Sequence, residues 1–256
     1  MLKKRIIFVL FYQNGYFHLS RNFSLQKVGD CNWLLEKFRF SSIGDYIDEL
    51  IILDVSRGPS APDSRKYFCD SISMLMKNIF VPLTIGGGIR TISDAHDYFQ
   101  VGADKVSMNW AISEKPKLIS DVAEKYGSQA VTVSLDVRLY NDGYAAYINY
   151  GRDRVGSVSD MISAAEGVGA GEILITSIDQ DGTGAGLDSK LLKSLPNVSV
   201  PIIACGGAGK PEHFFEILSM TNISGVATGN LFNFIGTGFL ELRRDLAESL
   251  PNVRKL

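Results

Sequence analysis

The sequence predicts one (β/α)8 barrel of the α/β class, and three observations support this prediction. The chain has 256 residues, the usual size of such a barrel folded as a single domain. Short apolar runs alternate with longer amphipathic segments along the chain. Its two halves also resemble each other. We therefore expect one domain over residues 1–256, built from two half-barrels.

Eight apolar runs are the predicted barrel strands. Most are continuously apolar rather than alternating, which is typical of parallel strands covered on both faces. In chain order they are Arg5–Phe11, Glu49–Val55, Pro82–Ile85, Lys105–Met108, Ala130–Val137, Glu172–Ile178, Pro201–Cys205 and Gly225–Thr228. An open doubly wound sheet is the alternative, and eight units in this length favour the barrel.

The segments between the strands contain predicted amphipathic helices, at Asn32–Phe38, Ile92–Val101, Lys115–Lys125, Ser157–Val168 and Pro211–Met220. The connection after the fifth strand differs. There, Asp142-Gly143 lies between two alternating runs, and such a pair indicates a tight hairpin turn. We expect a hairpin to project from the top of that strand.

The likeness of the two halves is visible in three pairs of segments. Glu49–Asp54 is echoed by Glu172–Asp179, Pro82–Ile89 by Pro201–Gly209, and Asn109 by Asn230, at offsets of 119 to 125 residues. This spacing is too long for a solenoid repeat and fits two fused half-barrels of four βα units each.

Charge and cysteine content argue against several classes of protein. The formal net charge of −2 gives no electrostatic reason to expect a nucleic acid or a membrane as partner. Cys31, Cys69 and Cys205 are odd in number and far apart, which argues against disulfides and favours a cytoplasmic location. The apolar stretch near the start is expected to be a strand rather than a signal peptide. No metal-ligand spacing is present, and no cofactor is expected.

Glycine turns follow the third and seventh predicted strands, at 86–88 and 206–207. Glycine lets backbone N–H groups approach an anion, and the helix after each turn adds positive potential. The stretches 181–184 and 228–230 are expected to complete the rim, because phosphate often binds near the late strands of such barrels. The sequence therefore predicts an anion or phosphate site at the C-terminal ends of the strands.

Charged residues mark both ends of the predicted barrel. Asp136 ends the fifth strand, where a carboxylate can act as general acid or base; the alternative is a loop-capping aspartate. Asp54 and Asp179 end two other strands and are expected to orient loops. At the opposite mouth, strands open with residues whose charges can alternate around the axis: Arg5, Glu49, Lys105 and Glu172. Their spacing alone favours a structural plug of paired charges.

Together these segments resemble the HisF family, the cyclase subunit of imidazole glycerol phosphate synthase, over nearly the whole chain. The stretches that carry the resemblance are Arg5-Ile6-Ile7, Asp48-Glu49-Leu50, Ile85–Arg90, Gly102–Ser107, Tyr126–Ala130, Gly169–Thr183 and Gly206–Phe214. The resemblance implies a heterodimer in which a HisH-like glutaminase docks at the bottom of the barrel and supplies ammonia. The ammonia gate implied by the match comprises Arg5, Glu49, Lys105 and Glu172, so a gate is now favoured over a plug.

The same resemblance assigns two further sets of residues. Asp104 and Gln129 match positions at the glutaminase-facing surface. The positions implied to bind a phosphate-containing small molecule are Gly88, Asn109, Gly182, Gly207 and Gly229.

The chain departs from the family pattern at three positions. The family's cyclase chemistry uses two aspartates; one matches Asp136, and the other falls at Phe11, which can neither donate nor accept a proton. The family's loop lysine falls at Leu19, and a small residue beside the phosphate falls at Trp110, which is expected to narrow that site. We therefore expect ordinary cyclase activity to be lost or severely reduced.

The chain keeps the gate residues and lacks one catalytic acid. In this combination it resembles the WbuZ-like branch of the family, whose members belong to surface-polysaccharide (O-antigen) pathways. The resemblance implies ammonia supply for converting an acetamido to an acetamidino sugar, with a separate sugar amidotransferase as a further partner. Two alternatives stay open. One is an active cyclase, a lyase-type subunit of histidine biosynthesis that converts PRFAR and ammonia to imidazole glycerol phosphate and AICAR. The other is a barrel that only binds and activates its glutaminase.

Overall fold

A computed structural model describes residues 3–37, 40–56, 64–229 and 238–255. Its strands are β1 (Arg5–Gln13), β2 (Tyr16–Arg21), β3 (Ser24–Gly29), β4 (Glu49–Asp54), β5 (Leu83–Gly86), β6 (Lys105–Met108), β7 (Val131–Tyr140), β8 (Gly143–Ile148), β9 (Asp153–Ser157), β10 (Glu172–Ser177), β11 (Ile202–Cys205) and β12 (Ile223–Thr228). Its α-helices are α1 (Cys31–Lys37), α2 (Ser64–Met76), α3 (Ile92–Gln100), α4 (Ala111–Glu114), α5 (Pro116–Tyr126), α6 (Val158–Gly167), α7 (Ser189–Ser194), α8 (Pro211–Leu218) and α9 (Gly238–Ser249). Short 3-10 helices lie at Phe40–Asp45 and Ser128–Ala130.

Eight parallel strands close into a barrel, so the predicted fold class is confirmed. They pair in the order β1, β4, β5, β6, β7, β10, β11 and β12, and β12 pairs back with β1. The predicted helices correspond to α1, α3, α5, α6 and α8. Two predicted positions, Phe38 and Asn230, lie outside the described residues. None of the helices in the described ranges has the length and apolar character needed to span a membrane.

Each barrel strand turns alternate side chains toward the helices and toward the barrel interior. The outward set, which includes Ile6, Val106 and Ile173, packs with the helices in the main apolar core. A second apolar cluster fills part of the interior and comprises Ile7, Val9, Ile51, Leu174, Ile203, Cys205 and Ala227. Burial on both faces explains why the strands appear in the sequence as continuous apolar runs.

An antiparallel hairpin follows the first strand of each half-barrel. β2 and β3 extend β1, and β8 and β9 extend β7. The sequence predicts the second hairpin, but its turn is Asn141-Asp142, one residue before the expected pair, because Tyr140 pairs directly with Gly143. Asn141 supplies the left-handed residue, with φ of 51°, so the glycine begins β8 instead.

The first hairpin turns at Asn14-Gly15, where φ is 49° and 89°. Asn-Gly is a strong sequence signal for such a turn, so this hairpin is encoded locally although the strand prediction ends before it. The two hairpins meet above the barrel. A Cβ added to Gly151 would come 3.0 Å from Ile178 and 3.3 Å from Phe23.

Candidate functional site

Four charged side chains form a closed ring at the N-terminal mouth of the barrel. Arg5 donates from Nη1 to Glu49 Oε2 at 2.8 Å and from Nη2 to Glu172 Oε1. Lys105 Nζ donates to Glu49 Oε2 at 2.9 Å and to Glu172 Oε2 at 2.8 Å. Each cation therefore lies between the two carboxylates, and the signs alternate around the barrel axis. We call this set of four residues the charged ring.

The two carboxylates of the charged ring are buried, so they depend on the cations that pair with them. The side chains of Glu49 and Glu172 are only 2% and 6% exposed. Burial alone lowers the pKa of Arg5, but the carboxylates of Glu172 and Glu49 outweigh it and hold that pKa above its ordinary value. Thr84 donates a further hydrogen bond of 2.7 Å to Glu49. Removing one member would leave a buried charge uncompensated, so the four residues act as a unit.

The surface around the charged ring carries the two residues expected to face a glutaminase. Asp104 and Gln129 are exposed and lie just before β6 and β7. Asp104 also accepts a hydrogen bond of 2.8 Å from the backbone N–H of Leu83, which ties β5 to β6. On the neighbouring loop, Phe80 is 91% exposed. The sequence does not single out Phe80, because a lone apolar residue near a strand is typical of a core position.

At the opposite, C-terminal mouth, Asp136 lines a cavity of about 190 Å³. Asn109 donates from Nδ2 to the Ser134 carbonyl oxygen at 3.0 Å and to Asp136 Oδ2 at 3.3 Å. Gly88 and Trp110 line the same cavity. The structure therefore brings Asp136 together with the first two predicted phosphate positions, Gly88 and Asn109.

Asp136 titrates near neutrality in this environment. Burial, and then the nearby carboxylate of Asp181, raise its pKa from 3.8 to about 7. Burial raises the pKa of Asp181 too, although its Oδ2 accepts hydrogen bonds from the Ser20 hydroxyl and the Phe23 N–H. A carboxyl group with a pKa near 7 exchanges protons readily at neutral pH. Asp136 therefore keeps the capacity of a general acid or base.

Phe11 lies at the C-terminal mouth of the barrel. It lines the cavity beside Asp136 and also a second cavity of about 290 Å³. It packs against the apolar interior cluster, and a Cβ added to Gly229 would come 3.0 Å from its Cε2 atom. Because a phenyl ring has no exchangeable proton, position 11 contributes bulk and apolar surface rather than acid–base chemistry.

The other three predicted phosphate positions line the second cavity: Gly182, Gly207 and Gly229. Leu19, the position of the family's loop lysine, lines it as well. The five predicted positions therefore divide between two cavities, and Phe11 lines both of them.

Packing of the chain on itself accounts for two of these glycines. A Cβ on Gly182 would collide with the carbonyl oxygen of Ser20, and one on Gly207 with that of Gly186. Gly182 and Gly207 also have positive φ, 68° and 98°. The glycine signal in the sequence therefore has a structural cause that holds with or without an anion.

The helix after the first glycine turn carries a carboxylate at its N-terminus. Thr91 caps α3 by accepting from the backbone N–H of Asp94 at 3.2 Å. The Asp94 carboxylate accepts from the N–H groups of Arg90 and Thr91 at 2.7 and 2.8 Å. The Asp94 carboxylate therefore offsets part of the positive potential at this end of the helix.

A cation is held at the rim of the first cavity. The Arg90 guanidinium lies 3.8 Å from the centre of the Trp110 ring, and both residues line the cavity. Trp110, which the sequence predicts to narrow the phosphate site, thus also fixes a positive charge beside it.

The remaining candidates have structural roles. Asp54 accepts from the Ser56 N–H at 2.9 Å and Asp179 from the Leu139 N–H at 3.1 Å, so both orient loops as expected. Burial raises the pKa of the Cys205 thiol to about 12, which makes it a poor nucleophile. Within the described ranges, no group of His, Cys, Asp and Glu side chains is arranged to hold a metal ion.

Known proteins are similar in sequence to this chain over almost its full length. Residues 38–236 match the family described as Histidine biosynthesis protein. The chain is 42% identical over 250 residues to a Parasynechococcus marenigrum protein provisionally described as imidazole glycerol phosphate synthase subunit hisF2, covering 97% of this chain and 91% of that protein. It is 37% identical over 250 residues to imidazole glycerol phosphate synthase subunit HisF of Prosthecochloris aestuarii, covering 97% of each. With the corresponding subunit of Chlorobium limicola it is 38% identical over 238 residues, covering 91% and 92%. The chain therefore belongs to the histidine biosynthesis protein family, among the homologues of the synthase subunit HisF.

Proposed function

We propose that this chain is a HisF-type synthase subunit that docks a HisH-like glutaminase and conducts glutamine-derived ammonia through its barrel. In this proposal the ammonia serves sugar amidation in surface-polysaccharide synthesis rather than cyclisation. The observation that carries the proposal is a complete charged ring at one mouth combined with a phenyl ring, Phe11, at the other.

The charged ring supports an inlet better than a plug. Two buried carboxylates paired with two partly buried cations stabilise a barrel no more than apolar packing does, so a plug gains little from them. An inlet gains selectivity, because paired charges exclude ions while long side chains swing aside for a small neutral molecule. Arg5 and Lys105 are 22% and 16% exposed, which leaves them room to move on the outer side.

The C-terminal mouth supports delivery rather than cyclisation. Phe11 stands where the resemblance implies one of two catalytic aspartates, and Leu19 where it implies a lysine. A single positioned acid or base contributes a rate factor of roughly 10²–10⁴. Loss of one member of the pair therefore predicts cyclase turnover too slow to sustain a pathway.

The gate is tested by breaking the charged ring in the assembled complex. The chain is combined with its HisH-like glutaminase and the sugar amidotransferase, and supplied with glutamine carrying heavy nitrogen in its amide and with unlabelled ammonium. We expect Lys105→Ala to lower the heavy-nitrogen fraction of the amidated sugar several-fold while glutaminase turnover is matched. Lys117→Ala is the control, because Lys117 is 83% exposed and pairs with Asp121 away from the ring.

An equal heavy-nitrogen fraction in Lys105→Ala and Lys117→Ala would count against a conduit. In that case the barrel would bind and activate its glutaminase without carrying the ammonia. Measuring unfolding of both variants separates loss of the gate from loss of the fold.

A second candidate is the cyclase of histidine biosynthesis, with another group replacing the acid lost at Phe11. The similarity to synthase subunits described as hisF2 and HisF and the pKa of Asp136 near 7 favour it. Detectable turnover of PRFAR with ammonium by the purified chain, together with rescue of a histidine auxotroph, would establish this alternative. If the gene for this chain lies among genes for sugar-nucleotide enzymes, that location would support the amidation role instead.

A further inference from the structure

The interior wall of the barrel carries a row of buried hydroxyl groups along one side, and the opposite side is mostly apolar. Along β1, β11 and β12 the interior residues include Ile7, Val9, Ile203 and Ala227. Along β5, β6 and β7 the buried residues with hydroxyl groups are Thr84, Ser107, Thr132 and Ser134. This row begins beside the charged ring, where Thr84 donates to Glu49, and ends at the cavity that Ser134 lines with Asp136.

Sheet register fixes the direction of Thr132. It pairs with Ser107 of β6 and with Glu172 of β10. Both partners face the interior, because Glu172 belongs to the charged ring and Ser107 lines the first cavity, which also contains Asp136. Residues paired across parallel strands share a face, and Val131 and Val133 pack in the outward core. The Thr132 side chain therefore faces the interior, between the ring and the cavity.

Thr132 is fully buried, and its hydroxyl has no hydrogen-bond partner in the part of the chain that the structure describes. A buried hydroxyl without a partner is costly and rare in folded proteins. Substitution by valine would keep the shape without that cost, so the hydroxyl points to a ligand that pairs with it.

We propose that Thr132 is a hydrogen-bonding station, that is, a binding site for one molecule of neutral ammonia between the charged ring and the first cavity. The proposal rests on the conduit proposed above. Ammonia accepts a hydrogen bond from the hydroxyl through its lone pair, or donates one to the hydroxyl oxygen. Ammonium fits poorly, because the facing wall is apolar and the neighbouring Glu172 carboxylate is already paired with Arg5 and Lys105. Ser134 lies two residues further on the same face of β7 and offers the next hydroxyl.

The test uses the isolated full chain with isotope-labelled threonine methyl groups. Its methyl resonances are followed while ammonium chloride is added at alkaline pH, where free ammonia is abundant. Parallel titrations use sodium chloride and tetramethylammonium chloride, and Thr132→Val assigns the resonance. We expect a saturable shift of the Thr132 methyl with ammonium chloride only, growing with the free ammonia fraction, and no such shift at exposed Thr221.

Thermal unfolding provides a second reading. Ammonia should raise the unfolding midpoint of the native chain and of Thr132→Ser, which keeps the hydroxyl, but not of Thr132→Val. A methyl resonance insensitive to ammonia would overturn the station and leave water as the occupant. If the Thr132 methyl resonance does not respond to ammonia but Lys105→Ala lowers nitrogen transfer, the proposal for Thr132 is wrong and the conduit stands. If the resonance responds but Lys105→Ala leaves nitrogen transfer unchanged, the conduit is wrong and ammonia binding at Thr132 stands.

Discussion

Two residues, Phe11 and Asp136, determine what chemistry the C-terminal mouth of the barrel can perform. Both positions follow from the sequence, because each ends a strand whose apolar run is easily recognised. The pKa of Asp136 does not follow from it. Burial and Asp181 raise that pKa, and Asp181 approaches only because the loop after β10 packs under the first hairpin through Ser20.

The raised pKa of Asp136 predicts a pH-dependent effect of neutralising it. The folded state holds this proton up to about pH 7, whereas the ordinary pKa is 3.8. Stability from the protonated carboxyl is therefore complete below the ordinary value and is lost as the pH rises toward 7. We expect Asp136→Asn to raise the free energy of unfolding by about 4 kcal/mol near pH 8, and by less than about 1 kcal/mol near pH 4.

Urea unfolding at the two pH values measures this difference. Asp142→Asn, in the exposed hairpin turn, is the matched control and should change stability little at either pH. A gain from Asp136→Asn that is the same at both pH values would show that the carboxyl has an ordinary pKa.

At the scale of elements, the sequence predicts the helices and strands better than their ends. The capping box of Thr91 and Asp94 is a local signal, and it places a carboxylate at the N-terminus of α3. The glycine pattern points to an anion, whereas Gly182 and Gly207 are required by backbone approaches that only the folded chain creates. Local sequence cannot distinguish these two causes of a glycine.

The cap of α3 makes a simple prediction about stability. Thr91→Ala removes the hydroxyl that accepts from Asp94 N–H and should lower the free energy of unfolding by about 1 kcal/mol. Ser93→Ala, at an exposed position inside the same helix, is the control and should leave stability unchanged or slightly higher. Equal unfolding free energies for the two variants would mean that the capping box does not stabilise the helix.

At the scale of the whole molecule, the charged ring exists only because the barrel closes. Arg5 and Glu172 are 167 residues apart and meet through strands of different half-barrels. Alternating charges at strand starts predict such a ring once a barrel is assumed, and the structure shows the four ion pairs. Two features could not be predicted: the exposure of Phe80, and the lack of a partner for the Thr132 hydroxyl among the described residues. Exposure and hydrogen bonding depend on the complete fold.

Phe80 gives a test of the docking face. Phe80 is 91% exposed and precedes β5, whose Leu83 N–H is held by Asp104, and an exposed aromatic side chain is typical of an interface anchor. We expect Phe80→Ala to weaken binding of the purified barrel to its HisH-like glutaminase by about tenfold or more, as measured by calorimetry. Phe215→Ala on α8, where the side chain is 44% exposed, should leave the affinity unchanged. Equal affinities of both variants would exclude Phe80 from the contact.

The most direct test of the proposed conduit is isotope dilution in a complex assembled from the barrel, a HisH-like glutaminase and a sugar amidotransferase. Glutamine with a heavy amide nitrogen is supplied together with an excess of unlabelled ammonium, and the amidated sugar is analysed by mass spectrometry. An enclosed path predicts that nearly all of the transferred nitrogen is heavy, whatever the excess of ammonium. A product that carries the isotope ratio of the bulk solution would show that the ammonia leaves the complex before use, and would contradict the conduit.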